Sequence, residues 1–95
     1  MKLQNKPLMS AQEYFREGMI LFNRKDYEKA KFPFASALYL DWQNSKYQYY
    51  LGRAFFKTEN WNSAEMRLMK AVSLQPDFPE ARKLLEKVKG KQKSK

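Results

Sequence analysis

Apolar side chains recur at helical spacing from the first third of this chain almost to its end. Tyr14, Gly18 and Leu21 lie at i, i+4 and i+7. Phe15, Met19 and Phe22 form a second row one position on. Both rows fit one side of an α-helix. Ser10 starts that helix with a capping box, Ser10-x-x-Glu13, and the helix is expected to run to about Arg24. Asp26 is placed to cap a second helix from Tyr27 to about Leu40. Pro33 inside it removes one hydrogen-bond donor and crowds the carbonyl of Lys29, so a kink or local break is expected around residues 29–33. Asn44 or Ser45 opens a third helix, with Gln48 able to close a box on Ser45. Asn60 can cap a fourth, from Trp61 to about Leu74. Asp77-Phe78-Pro79-Glu80 joins an N-cap, an early proline and a nearby glutamate, and so starts a fifth. The fifth is expected to end near Lys89, with Gly90 in the left-handed position that closes helices.

The pattern repeats with a period of 34 residues. Gly18 matches Gly52, Leu21 matches Phe55, Tyr27 matches Trp61 and Ala30 matches Ala64. Further on, Phe34 matches Leu68, Ala37 matches Ala71 and Leu40 matches Leu74. Small residues fall on small ones and large on large. A fixed period of this length, holding helix, short turn and helix, is the mark of a repeat architecture.

The chain resembles tandem tetratricopeptide repeats. The second copy carries Leu51-Gly52, Phe55, Ala64, Leu68, Ala71 and Pro76 at that family's spacing, and the first carries Tyr14, Gly18, Leu21, Ala30, Phe34 and Ala37. The likeness covers roughly residues 11–89. It departs at Glu17, where the second copy has Leu51, at Trp42, where it has Pro76, and at Pro33, where it has Arg67. The resemblance implies an all-α, right-handed superhelix of about five antiparallel helices. It also implies a reason for glycine inside a helix, where it costs about 1 kcal/mol relative to alanine. Gly18 with Ala30 and Ala37, and Gly52 with Ala64 and Ala71, would let paired helices cross closely.

The ends of the array read as polar. Glu17 stands where a leucine would meet a preceding repeat. The fifth helix has one apolar stripe, Ala81, Leu84, Leu85 and Val88, while Arg82, Lys83, Glu86, Lys87 and Lys89 cover its other faces. The expected organisation is a flexible segment over residues 1–9 and a repeat domain over 10–89. That domain divides into repeats at about 11–44 and 45–78 and a capping helix at about 79–89. A basic, disordered tail follows over 90–95. Leu3, Pro7, Leu8 and Met9 are placed to fold back over exposed aromatics.

Composition then narrows the chemistry. The 95 residues contain neither cysteine nor histidine. This removes disulfides, thiolate metal sites, the commonest zinc ligand and the commonest general base. No paired carboxylates or clustered glycines suggest a catalytic or phosphate-binding site. The expectation is a protein that is not an enzyme and uses no metal or cofactor. The net charge is +9. Seven of the 19 basic residues lie in the last 20 positions, so much of the excess belongs to the tail. Nucleic-acid binding is the first rival function, because this charge with interleaved aromatics fits an electrostatic footprint, but no nucleic-acid motif accompanies it. The lack of a long apolar run and of a signal-peptide core argues for a soluble, cytoplasmic protein. It is expected to be a monomer or weak homodimer, and an oligomerisation arm of a larger multidomain, co-chaperone-like protein is the structural alternative.

In tetratricopeptide folds the first helices of successive repeats line a concave groove. The resemblance therefore puts Phe15, Met19, Phe22, Tyr49, Arg53 and Phe56 on a groove floor, with Lys57, Lys83 and Lys87 at its rim; for Phe15 and Tyr49 the equal alternative is that they pack on one another between adjacent helices. The carboxylate clamp that some family members use for acidic C-termini is absent. Phe15 and Met19 occupy its first-repeat places and Tyr50 its asparagine place. The function this implies is a scaffold that binds a peptide segment bearing apolar anchors and acidic residues. The expected peptide site is Phe15, Met19, Phe22, Tyr49, Arg53, Phe56, Lys57 and Lys83.

Overall fold

The computed structural model of the chain describes residues 9–93. Within them run five helices, α1 (Ala11–Asn23), α2 (Tyr27–Leu40), α3 (Ser45–Lys57), α4 (Trp61–Leu74) and α5 (Pro79–Lys93). Each helix packs on the next in the chain, and α3 also touches α5. Among the described residues there is no strand, and no helix is long and apolar enough to cross a membrane.

The caps explain why the helices begin where they do. Ser10 Oγ accepts the Glu13 N–H at 3.1 Å, and Glu13 Oε1 accepts the Ser10 N–H at 2.8 Å, which completes the expected box. At α3 the cap is Asn44, whose Oδ1 accepts the Tyr47 N–H at 3.1 Å. Asp26 and Asn60 stand at the N-cap positions of α2 and α4 without a side-chain capping bond.

The turns between α1 and α2 and between α3 and α4 are alike. Lys25 (φ 67°) and Glu59 (φ 63°) both adopt the left-handed conformation. The Lys25 N–H donates to Phe22 O at 2.9 Å and the Asp26 N–H to Leu21 O at 2.9 Å. Glu59 and Asn60 repeat this on Phe56 and Phe55 at 3.0 and 2.9 Å. These are Schellman closures, which satisfy the last carbonyls of a helix while the chain reverses. The period read from the sequence is thus repeated by the backbone.

Two apolar clusters hold the helices together. The first gathers Phe22, Ala30, Phe34, Ala37, Leu38, Tyr47, Leu51 and Ala54 from α1, α2 and α3. The second joins Ala64 and Leu68 of α4 to Leu85 and Val88 of α5. Phe34 and Leu68 are fully buried, which stabilises by roughly 1.5–3 kcal/mol each. They occupy equivalent places in the two repeats, and each seats against a glycine. A Cβ added to Gly18 would enter the Phe34 ring, and one added to Gly52 would lie 2.9 Å from Leu68 Cγ. The expectation had paired the glycines with Ala30, Ala37, Ala64 and Ala71. The helices instead gain their close contact by fitting a large side chain into the space left by glycine. The alanines are buried as well.

Other expectations are corrected. The helix α2 runs unbroken through Pro33, with no local break at residues 29–33. Ala30, Phe34 and Ala37, all fully buried, clamp the helix on both sides of the missing bond. Gln48 closes no box on Ser45. It is 3% exposed, donates Nε2 to Trp42 O at 3.2 Å and accepts Arg67 Nη1 at 3.1 Å. It therefore ties α3 to the α2–α3 turn and to α4, a better use for a buried amide than a solvent-side cap. Gly90 does not end the last helix, because α5 continues to Lys93 and no glycine has positive φ. Gln92 Nε2 donates to Asn62 Oδ1 at 2.6 Å, and the Lys91 ammonium lies 5.8 Å from the Trp61 ring centre. Those contacts to α4 order residues 90–93, which were expected to be a disordered tail. The first eight residues and the last two lie outside the described residues, and with them the expected fold-back of Leu3, Pro7 and Leu8.

The three glycines separate cavity from propensity. Alanine at position 18 or 52 should destabilise by roughly 1–3 kcal/mol, more at 18, despite its better helix propensity. Gly90→Ala adds a Cβ that meets nothing within 4 Å, and it should stabilise by up to about 1 kcal/mol. Urea unfolding of the three variants checks both signs, and equal effects at all three positions would exclude the close packing described.

Candidate functional site

The helical spacing of α3 puts Tyr49, Arg53, Phe56 and Lys57 on one side of that helix. Arg53 is the centre of this row. Its guanidinium carbon lies 4.8 Å from the ring centre of Phe22, 5.3 Å from Tyr50 and 5.7 Å from Tyr49. Stacking of this kind holds the flat cation without a carboxylate partner. Behind it, Phe56 meets Trp61 edge-on at 5.4 Å, and Lys57 leans over Tyr27 at 5.6 Å.

The helix α5 supplies the opposite wall. Two contacts fix it there. Phe78, just before α5, packs on Tyr49 at 4.9 Å, and Arg82 Nε donates to Pro76 O at 2.8 Å. Ala81, Leu85 and Val88 are buried toward α4. Glu80, Lys83, Leu84 and Lys87 then join the α3 row around an open pocket of about 400 Å³. Its lining has four cationic side chains and one carboxylate, above an aromatic and aliphatic floor. Lys83 and Lys87 stand one period after Tyr49 and Arg53, so the two walls are equivalent faces of successive repeats.

The site is narrower than the sequence implied. Tyr49, Arg53, Phe56, Lys57 and Lys83 come together as expected. Phe15, Met19 and Phe22 do not line the pocket. Phe22 is 7% exposed and is the ring beneath Arg53. Phe15 packs on Phe34, Tyr47 and Tyr50 at 5.6, 4.9 and 5.4 Å, with Lys46 over its outer face at 5.2 Å. Met19 is half-buried against the same cluster. The reason is Tyr50, whose ring fills the space beside α1 and meets Phe15, Phe22 and Phe34. One period later the equivalent residue is Leu84. A smaller, branched side chain leaves open between α3 and α5 the gap that tyrosine closes between α1 and α3.

Sequence reasoning missed Glu80 and Leu84 as lining residues and Tyr50 and Phe78 as supports. A signal for two of them was present. Leu84 is the period-mate of Tyr50, and Glu80 precedes Leu84 by one turn on the same face. Burial raises the Tyr49 phenol above its ordinary value, with Arg53 pulling the other way and Tyr50 and Glu80 adding to the rise. Burial also raises Tyr47, helped by Asp41.

Compared with known proteins, the chain matches no protein-family model and no curated protein.

The tyrosine environment gives a pH test. The unfolded phenols ionise near 10.0, whereas folded Tyr47 and Tyr49 hold their protons to higher pH. The unfolded state thus binds fewer protons above that point, and stability should fall as pH rises past it. Ultraviolet titration should show two late phenols, and Tyr49→Phe should remove one. Uniform titration of all six tyrosines at the ordinary value would contradict the packing around α3.

Proposed function

We propose that this chain is a tetratricopeptide-type scaffold of two repeats and a closing helix. The groove between α3 and α5 binds a short protein segment with apolar anchors and acidic side chains. The observation that carries this reading is the held guanidinium of Arg53. It faces a pocket with Lys57, Lys83 and Lys87 around it, and among the lining residues only Glu80 is acidic. Tyr49, Phe56 and Leu84 offer apolar surface to an anchor, and the cations offer partners to its carboxylates. Apolar contact supplies most of the affinity; the cations select the ligand and speed its approach.

An interface this small supports binding at about micromolar strength, roughly −8 kcal/mol. The period seen in the packing of Gly18 on Phe34 and of Gly52 on Leu68 supports the family reading. So do the paired left-handed turns at Lys25 and Glu59.

The test is fluorescence anisotropy with a labelled peptide that alternates leucine or phenylalanine with glutamate. Binding should weaken as salt rises, because exposed charges are screened. Lys83→Glu should weaken it several-fold and flatten the salt dependence. Arg53→Met, which keeps an apolar stem over the three rings, should weaken it while leaving the melting curve near wild type. A single-stranded RNA of similar length is the control ligand. Tight RNA binding, or peptide binding untouched by either substitution, would sink the proposal.

A further inference from the structure

The side of the molecule formed by α2 and α4 carries most of the large apolar side chains that the fold leaves exposed. Phe32 is 73% exposed, Tyr39 84%, Trp42 58%, Met66 60%, Met69 52% and Leu40 44%. They are not scattered. Phe32, Ala35, Ser36 and Tyr39 form one row on α2 at i, i+3, i+4 and i+7, and Met66, Met69, Lys70 and Ser73 form the matching row on α4 one period later. The two rows form one surface. A hollow beside Phe32 and Tyr39 continues past Ala35 and Trp42 into a second, of about 580 Å³, between Met66 and Met69.

The two cations that line these hollows already have partners. Arg67 donates to Gln48, and the Lys70 ammonium lies 5.9 Å from the Trp42 ring centre. None of the three hollows is lined by a carboxylate. The hollows are therefore poor in free charge and rich in aromatic and thioether surface, on a chain of net charge +9. Scattered apolar residues need no explanation, but a contiguous patch on a strongly charged protein marks a contact surface.

We infer that this face joins two copies of the chain in a two-fold dimer, with the α2 row of each copy lying on the α4 row of the other. Size and chemistry both carry this. At roughly 200 Å² for a fully exposed large side chain, the six exposures come to on the order of 700 Å². Ala35, Ser36 and Ser73 beside them bring this close to the roughly 800 Å² per partner of a stable interface. A two-fold axis between the rows places Phe32 and Tyr39 of one copy against Met66 and Met69 of the other, twice over. Aromatic rings and thioether sulfur are favourable neighbours, and a two-fold contact needs a face complementary to itself. The dimer leaves the α3–α5 pocket on each copy open, and it does not rest on what that pocket binds.

Salt separates the two interactions. The net charges of the copies repel, so added salt should strengthen the dimer while it weakens an acidic peptide. The experiment is sedimentation equilibrium of the wild-type chain from micromolar to sub-millimolar concentration. The mass should rise from 11.4 kDa toward twice that value, and more steeply at higher salt. Tyr39→Glu and Met66→Glu, each at an exposed position, should weaken association roughly tenfold or more, with circular dichroism confirming that both stay helical. Lys83→Glu, on the opposite groove, should leave the dimer intact. A wild-type chain that stays monomeric throughout overturns the inference, and so does a dimer that survives both face substitutions.

Discussion

The ring of Phe34 lies against the bare backbone of Gly18, and the geometry of the first half of the molecule depends on that contact. A side chain of any size at position 18 would push α2 away from α1. With none, the ring sinks to full burial and becomes a shared surface. Phe15 and Phe22 reach it from α1, and Tyr50 reaches it from α3 at 6.0 Å. One glycine therefore sets the spacing of the first helix pair and the height at which α3 docks on it. Gly52 and Leu68 repeat the arrangement in the second pair with an aliphatic plug. The buried aromatics belong to the first cluster, whereas the buried residues of the second are aliphatic, with Tyr49, Phe55, Phe56 and Trp61 at its edge.

The candidate site is the outcome of that asymmetry. Two successive gaps separate equivalent helices, one between α1 and α3 and one between α3 and α5. Tyr50 fills the first and Leu84 leaves the second open. Arg53 sits at the boundary, stacked on the rings of the filled gap and turned toward the open one. Its charge is held by π faces and not by a carboxylate, so it stays available to a ligand while its position is fixed by packing. Arg53 is half-buried and lines the open pocket, so the cation is not fully desolvated.

Much of this was legible from the order of residues. The period identified the pairs Gly18/Gly52 and Phe34/Leu68, and the helical rows and cap signals located the starts of α1 to α5 nearly to the residue. The clustering of Tyr49, Arg53, Phe56, Lys57 and Lys83 followed from the same spacing. What failed is instructive in its physics. A helical row states which residues share a face, but not whether a neighbouring helix covers that face. Phe15 and Phe22 have the right spacing but pack against Tyr50, and Met19 is half-buried against the same cluster, so none of the three lines the α3–α5 pocket. Cap rules likewise assigned Gln48 and Gly90 by local pattern, and tertiary contacts overrode both. Gln48 was drawn inward by Arg67 and the Trp42 carbonyl. Gly90 was carried on in helix by the anchoring of Gln92 on Asn62. Pro33 was tolerated because buried neighbours on either side outweighed one lost bond.

The packing of each helix mainly on its sequence neighbour has a kinetic consequence. Nearly all contacts close short loops, and chains of low contact order fold quickly, on the order of microseconds to milliseconds. Such an array also lacks a single keystone. Its stability is a sum of local pairings. Among the described residues α5 packs mainly on α4, and it supplies half of the pocket wall. The pocket is thus whole only while α5 is docked. A ligand that bridges α3 and α5 would hold that helix in place and draw its energy of docking into its own binding. On the proposed reading, binding a ligand and docking α5 would be one equilibrium, set partly by how firmly Leu85 and Val88 grip α4.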